Sequence, residues 1–405
     1  MRPRLVRLTI VLGALSAFAP MSIDMYLPSL PTLAQVFEAR PGRVQLTLAA
    51  FFVGLVCGQL VHGPLTDRYG RKRPLYAGIV LYVLASAGCA LAPNLGSLIG
   101  LRFVQAFGGC AAIVVTRAAV RDLFDAQESA RMFSMIMLVM GIAPIIAPLI
   151  GGYLLVLFGW QSIFGLLALF GILCLIGSAT WLPETRHPSA RSKVAMRKVA
   201  AGYGRLLVDR EFIGYALAGG FAQAGMFAYI AGSPAVFIGV YGVAPQHFGW
   251  LFGANALGVI VASQLNRRLL KGQPASRVLF RANVANAALG VLLAGCAASG
   301  AGGFVGVLLP LFGYMASLGF ISPNSSALAL AHQGARAGTA AALLGTLQFG
   351  MAALASVLVG FLYDASATPM ASVIGGCGLA ALVAHRSLVP PEGGPAGSQR
   401  GRRQA

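Results

Sequence analysis

Gly63-Pro64-Leu65-Thr66-Asp67-Arg68-Tyr69-Gly70-Arg71-Lys72-Arg73-Pro74-Leu75 joins two long apolar runs through four cations, one carboxylate and two glycines. A loop that only had to stay out of a bilayer would need the arginines and the lysine alone. It would not need Gly63, Asp67 and Gly70 at this spacing. Gly63 is expected to let helices approach closely and Gly70 to permit a tight turn. Asp67 is placed to face a helix N-terminus or one of the neighbouring cations.

Apolar windows of about 20 residues, the length a helix needs to cross a bilayer, lie on both sides of this stretch. They cover 5–30, 44–64, 75–92, 95–120, 130–158 and 160–182, then 212–240, 248–265, 278–299, 303–325, 338–363 and 369–385. The pattern predicts an all-α integral membrane protein with twelve transmembrane helices in two six-helix bundles. The composition agrees, since 57% of the 405 residues are hydrophobic and 10% charged, against about 45–50% and 25% in soluble domains. The expected divisions are a first bundle (1–182), a cytoplasmic linker (183–210), a second bundle (211–386) and a disordered cytoplasmic tail (387–405) rich in Gly, Pro and Arg.

A net charge of +19 would suit nucleic acid, but the cations cluster in short segments between apolar windows. Arg68, Arg71, Lys72 and Arg73 follow the second; Arg121 and Arg131 the fourth; Arg191 to Arg210 the sixth; Arg267, Arg268, Lys271 and Arg277 the eighth. Among the loops, Arg40 and Arg43 fall on the other side. This is the positive-inside pattern, so both termini are expected to be cytoplasmic and nucleic acid is not an expected partner. Arg2, Arg4 and Arg7 before an apolar stretch resemble a signal peptide. The apolar pattern continues through Tyr26, however, and the segment is read as an uncleaved first helix. Six cysteines stand singly in apolar runs, without the paired spacing of zinc or redox sites. No metal and no cofactor are expected.

Within Ser22-Ile23-Asp24-Met25-Tyr26-Leu27-Pro28-Ser29-Leu30-Pro31, Asp24 puts a carboxylate in the first span. A charged side chain at the bilayer centre costs roughly 3 kcal/mol on insertion scales, so one that is present is paired, protonated or facing water, and marks function by default. The other reading is a helix stop at the outer surface before Pro28 and Pro31. Aligning Asp67-Arg68 with Asn266-Arg267 gives an offset of 199 (266 − 67), as parallel repeats would. The same offset carries Asp24 onto Gln223 and Arg102 onto Ala301, so the ionisable pair occurs in the first half alone.

The stretch from Gly63 to Leu75 resembles the signature between helices two and three of the major facilitator superfamily. The segment 98–109, with Arg102, Gln105 and Gly108, is similar to its fourth-helix motif, although Ala106 stands where glycine is common. Gly141-Ile142-Ala143-Pro144-Ile145-Ile146-Ala147-Pro148-Leu149-Ile150-Gly151-Gly152 resembles the fifth-helix motif of drug–proton antiporters. Together with Ser22 to Pro31, Val120-Arg121-Asp122-Leu123-Phe124, Ala224-Gly225-Met226-Phe227 and Gly338-Thr339-Ala340, these motifs resemble the Bcr/CflA family of multidrug exporters. An Asp67-Arg68-Tyr69 tripeptide also occurs in seven-helix receptors, but about twelve spans disfavour one.

The resemblance implies proton-driven efflux of bicyclomycin, sulphonamides or phenicols across a bacterial inner membrane, by a protein functional as a monomer. It implies that Asp24 and Arg102 form the proton-coupling pair. It makes Gly63, Asp67, Arg68, Gly70, Arg71, Lys72, Arg121, Gly141, Pro144, Pro148, Gly151 and Gly152 the conformational motifs. A loosely specific apolar cavity is expected from Tyr26, Met140, Gln223, Met226, Phe227, Tyr229, Tyr314, Met315, Phe320 and Asn324. Each of these taken alone is also an ordinary packing residue. A dedicated metabolite exporter on the same fold, or a non-transporting receptor or scaffold, remains an alternative. No nucleotide loop or nucleophile constellation points to an enzyme. Of eleven acids, Asp24 alone lies well inside a window. Some related exporters carry a second acid two turns earlier, where this chain has Ser16, so neutral substrates are expected over permanent cations.

Overall fold

A computed structural model describes residues 3–185, 203–331, 333 and 337–389. The first span is broken into α1 (Pro3–Ser16), α2 (Phe18–Asp24), a single 3-10 turn (Leu27–Ser29) and α3 (Leu30–Val36), with a 41° bend between its two main parts. Prolines explain the breaks. Pro20, Pro28 and Pro31 have no N–H, which leaves the carbonyls of Ser16, Asp24 and Leu27 without their usual donor four residues on. The expected window of 5–30 is therefore too short, and the span runs on to Val36.

The remaining helices of the first half are α4 (Pro41–Tyr69), α5 (Lys72–Ala90), α6 (Leu95–Leu123), α7 (Ala126–Phe158) and α8 (Gln161–Trp181). The second half comprises α9 (Arg210–Ser233), continued by a π-helical stretch (Pro234–Val240), then α10 (Pro245–Leu269), α11 (Ala275–Ser299), α12 (Gly303–Leu330), α13 (Ala337–Phe361) and α14 (Thr368–Leu388). Among the described residues eleven helices are long and apolar enough to cross a membrane, and the bent first span makes twelve. Their starts are sequence-encoded. Asn94, Asp125 and Asp209 each accept a backbone N–H in the first turn of α6, α7 and α9.

Short connections make neighbouring helices antiparallel. The cationic turns α4–α5, α6–α7 and α10–α11 consequently share one end, called here the basic end. In the first half α6 packs on α4 and α5, and α5 on α8; in the second, α9 packs on α12, α13 and α14, and α11 on α12 and α14. The halves meet along a seam made by α4 against α13 and α7 against α10. Residues 186–202 of the expected linker and 390–405 of the expected tail lie outside the described residues; residues 203–208 are helical.

Most of the stretch from Gly63 to Leu75 is helical. α4 continues through Pro64 to Tyr69, and α5 begins at Lys72. Gly70 makes the turn with φ +88°, a conformation glycine adopts without strain. Gly63 departs from expectation, because the space where its Cβ would be is open and no helix presses against it.

Candidate functional site

Asp24 ends α2 and is 4% exposed. Among the described residues no hydrogen bond or ion pair reaches its carboxylate. Arg102, 0% exposed on α6, does not supply one. Its guanidinium donates to the Ser22 carbonyl (3.0 Å) and to Gln105 Oε1 (2.6 Å). It also lies over the rings of Phe51 (4.4 Å) and Tyr26 (4.6 Å). The expected Asp24–Arg102 pair is thus not made in this conformation. The cause is the break in the first span: α2 ends in carbonyls lacking donors, and a planar fork of N–H groups suits a carbonyl and an amide oxygen side by side.

The arginine is fixed from behind. Gln105 Nε2 donates to Ser86 Oγ (2.7 Å), Ser86 Oγ to the Tyr82 carbonyl (2.7 Å), and the Tyr82 and Ser22 hydroxyls lie 2.7 Å apart. Both ends of the segment Ser22–Asp24 are therefore held. Arg102 and Tyr82 grip Ser22, and Gly151 of α7 sits directly on the Met25 carbonyl where a Cβ would collide.

Along the seam, α7 and α10 form a wedge. A Cβ on Gly152 would lie 2.5 Å from the Pro245 carbonyl oxygen; on Gly253, 3.1 Å from Ile145; on Gly141, 3.3 Å from Ile260. The helices are tightest away from the basic end. α4 and α13 agree, with Gly42 and Gly360 in backbone contact at that same end. Between the two pairs, Phe52 meets Phe227 edge-on at 4.8 Å across the seam. α7 stays helical through Pro144 and Pro148, which free the carbonyls of Met140 and Pro144.

The residues expected to line a cavity do not come together. Phe227 lies at the seam against Phe52, Tyr229 is stacked on Phe252 within the second half, Gln223 is half-buried with Oε1 unpartnered, Met226 and Phe320 are half-buried against the core, and Met140 is 38% exposed. Tyr26 bonds Thr47 at 2.9 Å beneath Arg102. Three expectations are corrected. Tyr314 donates to the Ala222 carbonyl (3.0 Å), Asn324 to Asn266 Oδ1 (2.8 Å), and Met315 is 4% exposed. All three lie in the second half; Tyr314 and Asn324 spend their polar atoms on helix-to-helix bonds, and Met315 is packed in the core. A cavity of about 300 Å³ opens elsewhere, between α3, the start of α4 and the π-helical stretch, lined by Leu30, Pro31, Gln45, Ala231, Ala235 and Tyr363 among others.

At the basic end Arg71, 1% exposed, holds Asp67 (2.8 Å) and Asp122 (3.0 Å). Glu184 accepts the backbone N–H groups of Arg71 (2.8 Å) and Lys72 (3.1 Å), setting a carboxylate on the N-terminus of α5. Thr185 donates to Asp122 Oδ2 (3.2 Å). The cluster staples α4, α5, α6 and the end of α8. Arg68, Arg73 and Arg121 are exposed. Sequence reasoning did not join Asp122 and Glu184 to Arg71, because 51 and 113 residues separate them. It also missed Gln45, whose signal was an amide within an apolar span. Arg71→Lys keeps the charge, but one ammonium cannot span both acids. The loss is expected to be roughly 1.5–3 kcal/mol for a charge-assisted bond, reduced by screening at the half-exposed Asp67. It would register as a lower unfolding midpoint in detergent; an unchanged midpoint would remove the staple's structural role.

The Major Facilitator Superfamily model matches residues 12–356. The chain is 38% identical to the uncharacterized MFS-type transporter YdgK of Bacillus subtilis over 91% of either chain. It is 33% identical to a bicyclomycin resistance protein homolog of Haemophilus influenzae, covering 94% of this chain and 95% of that one. A crystal structure of a D-xylose-proton symporter superposes with TM-score 0.76 at 17% identity, over 95% of this chain and 98% of the other; that likeness concerns the fold.

Proposed function

We propose that this chain, which belongs to the Major Facilitator Superfamily, exports small, mostly neutral antibiotics of the phenicol, bicyclomycin or sulphonamide kind in exchange for protons. The observation that carries the reading is Asp24, a buried carboxyl at a break in the first span with no ion partner among the described residues. Such a group is stable neutral and costly charged, so its proton occupancy and the arrangement of the halves around it are linked. The relative named for bicyclomycin resistance supports the drug class.

The two halves rock about the seam. The wedge of α7 and α10 is shut at the end away from the basic loops, which positive-inside topology makes the outer end of a bacterial inner-membrane carrier with cytoplasmic termini. The Gly141–Gly152 stretch supplies the contact faces of that closure, and the cluster on Asp67 and Arg71 keeps the first half rigid. The carrier acts as a monomer. A susceptibility panel comparing a pump-deficient host expressing the chain with one expressing Asp24→Asn tests the reading. Equal resistance from both proteins would overturn it.

The substrate's charge follows from the absence of a second acid. Ser16, two turns before Asp24, is 7% exposed and donates to the Gly13 carbonyl at 2.7 Å, so it offers no charge to balance a bound cation. One proton in for each neutral drug out moves net charge, worth roughly 2.3 kcal/mol per 100 mV. Collapsing the membrane potential at constant pH gradient is expected to slow export. Efficient efflux of quaternary ammonium compounds, with no effect of potential on neutral drugs, would refute this.

A further inference from the structure

The cavity between α3, the start of α4 and the π-helical stretch is shared by the two halves at the end away from the basic loops. Small residues make the room. Ala231, Ala235 and Gly239 recur every four residues along the second half's wall, opposite Leu30, Pro31 and Ala34 of the first. Phe52 lies about two turns further in along α4 than Gln45, and Phe227 about one turn further in along α9 than Ala231. Their rings meet at 4.8 Å across the seam, so the cavity lies on the outer side of that contact.

Gln45, 2% exposed, brings an amide to the first half's wall. Neither its Oε1 nor its Nε2 has a hydrogen-bond partner among the described residues. Asn255, Asn283 and Asn286 also hold a buried oxygen without a partner, but each spends its nitrogen on a bond. Buried polar groups are paired in the great majority of cases, so an amide open at both ends points to a group that the chain itself does not supply. Its Oε1 rests 3.1 Å from where Gly360 would carry a Cβ, beside the backbone contact of Gly42 with Gly360. Rotation about its last bonds is soft and turns the amide from Gly360 to the cavity. Among the described residues no charged side chain lines this space. Asp364, next to the lining Tyr363, spends its carboxylate on the Ser366 N–H (2.9 Å) and hydroxyl (2.6 Å).

We infer that this cavity is an outer-side binding site for a small neutral solute bearing an amide or hydroxyl group: Gln45 donates to it through Nε2 and accepts from it through Oε1, while Leu30, Pro31, Ala231 and Ala235 hold its apolar body. The inference rests on the export reading above and makes the cavity the last binding place before release. A volume of about 300 Å³ is at the lower end of small-molecule sites, so the solute is compact. A permanent cation meets no counter-charge here, and a solute without donor or acceptor leaves Gln45 unpaired.

Chloramphenicol is a suitable probe, being neutral, with an amide, hydroxyls and a nitrophenyl ring that quenches tryptophan emission. Tyr363→Trp exchanges one aromatic side chain of the wall for a fluorophore, and the emission of the three native tryptophans is subtracted with the parent protein. In lipid nanodiscs the added emission is expected to be quenched saturably by chloramphenicol. Adding Gln45→Leu should raise the half-saturating concentration about tenfold, equivalent to roughly 1.4 kcal/mol, the worth of one or two neutral hydrogen bonds. Its unfolding midpoint should be unchanged or raised, because two unpartnered polar atoms leave the interior. Ala235→Phe fills the space from the opposite wall and should abolish the quenching. Added emission that is not quenched, or is quenched at the same concentration with and without Gln45, overturns the site and leaves water as the partner of the amide. Export of chloramphenicol by the parent chain in a pump-deficient host is measured alongside. Export without quenching overturns the outer site alone, whereas quenching in a protein that exports no neutral drug overturns the export reading.

Discussion

Asp24→Asn is expected to reduce concentrative drug export to the background of a host lacking the protein, while the variant accumulates in the membrane at least as stably as the parent. The two halves of that statement have one cause. In this structure the carboxylate is 4% exposed and makes no hydrogen bond or ion pair among the described residues, so an amide of the same shape breaks nothing. An unpaired buried charge is costly. Removing the option of ionising should leave the unfolding midpoint in detergent unchanged or raised, as happens when a strained functional group is neutralised. Transport fails because an amide cannot take up and release a proton. Exchange of labelled for unlabelled drug without a gradient needs no proton and should persist. Full uphill export by a well-folded Asp24→Asn protein would end the proton-exchange account.

The membrane makes the architecture legible in the sequence and hides much of the site. Every span must be long, helical and apolar, so the windows emerge directly. The spacing of Gly70 and Asp67 is informative because a positive φ and a nearby cation each require one residue type there. In a soluble helix the apolar stripe tells which face is inward, whereas in a bilayer both faces are apolar and the stripe fades. That is why Tyr314 and Asn324 read as cavity residues, though they bind helix to helix, and Met315 reads the same way though it packs in the core. The break at Pro28 and Pro31 reads as a helix stop, and α2 does end at Asp24 before the span resumes in α3; the end of α2 is held at Ser22 by Arg102, a side chain 80 residues away. The family resemblance implies an Asp24–Arg102 ion pair. Whether a guanidinium faces a carboxylate or a carbonyl depends on the direction in which the broken helix delivers each, and no local sequence pattern states that.

Arg102 gives the sharpest separation between charge and shape. If its role were to neutralise Asp24, Arg102→Lys would retain most of the export, since the charge stays in the same pocket. The structure gives it a different task. Two N–H groups of one planar head hold the Ser22 carbonyl at 3.0 Å and Gln105 Oε1 at 2.6 Å, between the rings of Phe51 and Tyr26 at 4.4 and 4.6 Å. A lysine ammonium is a compact point on a flexible stem and stacks less well on rings. It is expected to lose at least one of the two bonds, each worth roughly 1.5–3 kcal/mol when charge-assisted, and to let the end of α2 drift relative to α7. Asp24 lies two residues beyond Ser22, so drift there displaces the carboxyl. Export by Arg102→Lys is therefore expected near background, close to that of the uncharged Arg102→Met, whereas Gln105→Leu, which leaves the grip on Ser22, should keep a substantial part of it. Initial rates of proton-driven drug exchange at matched protein levels, with unfolding midpoints alongside, decide the order. A lysine variant that transports nearly as well as the parent would show that the charge suffices, and that Arg102 meets Asp24 directly at another stage of the cycle.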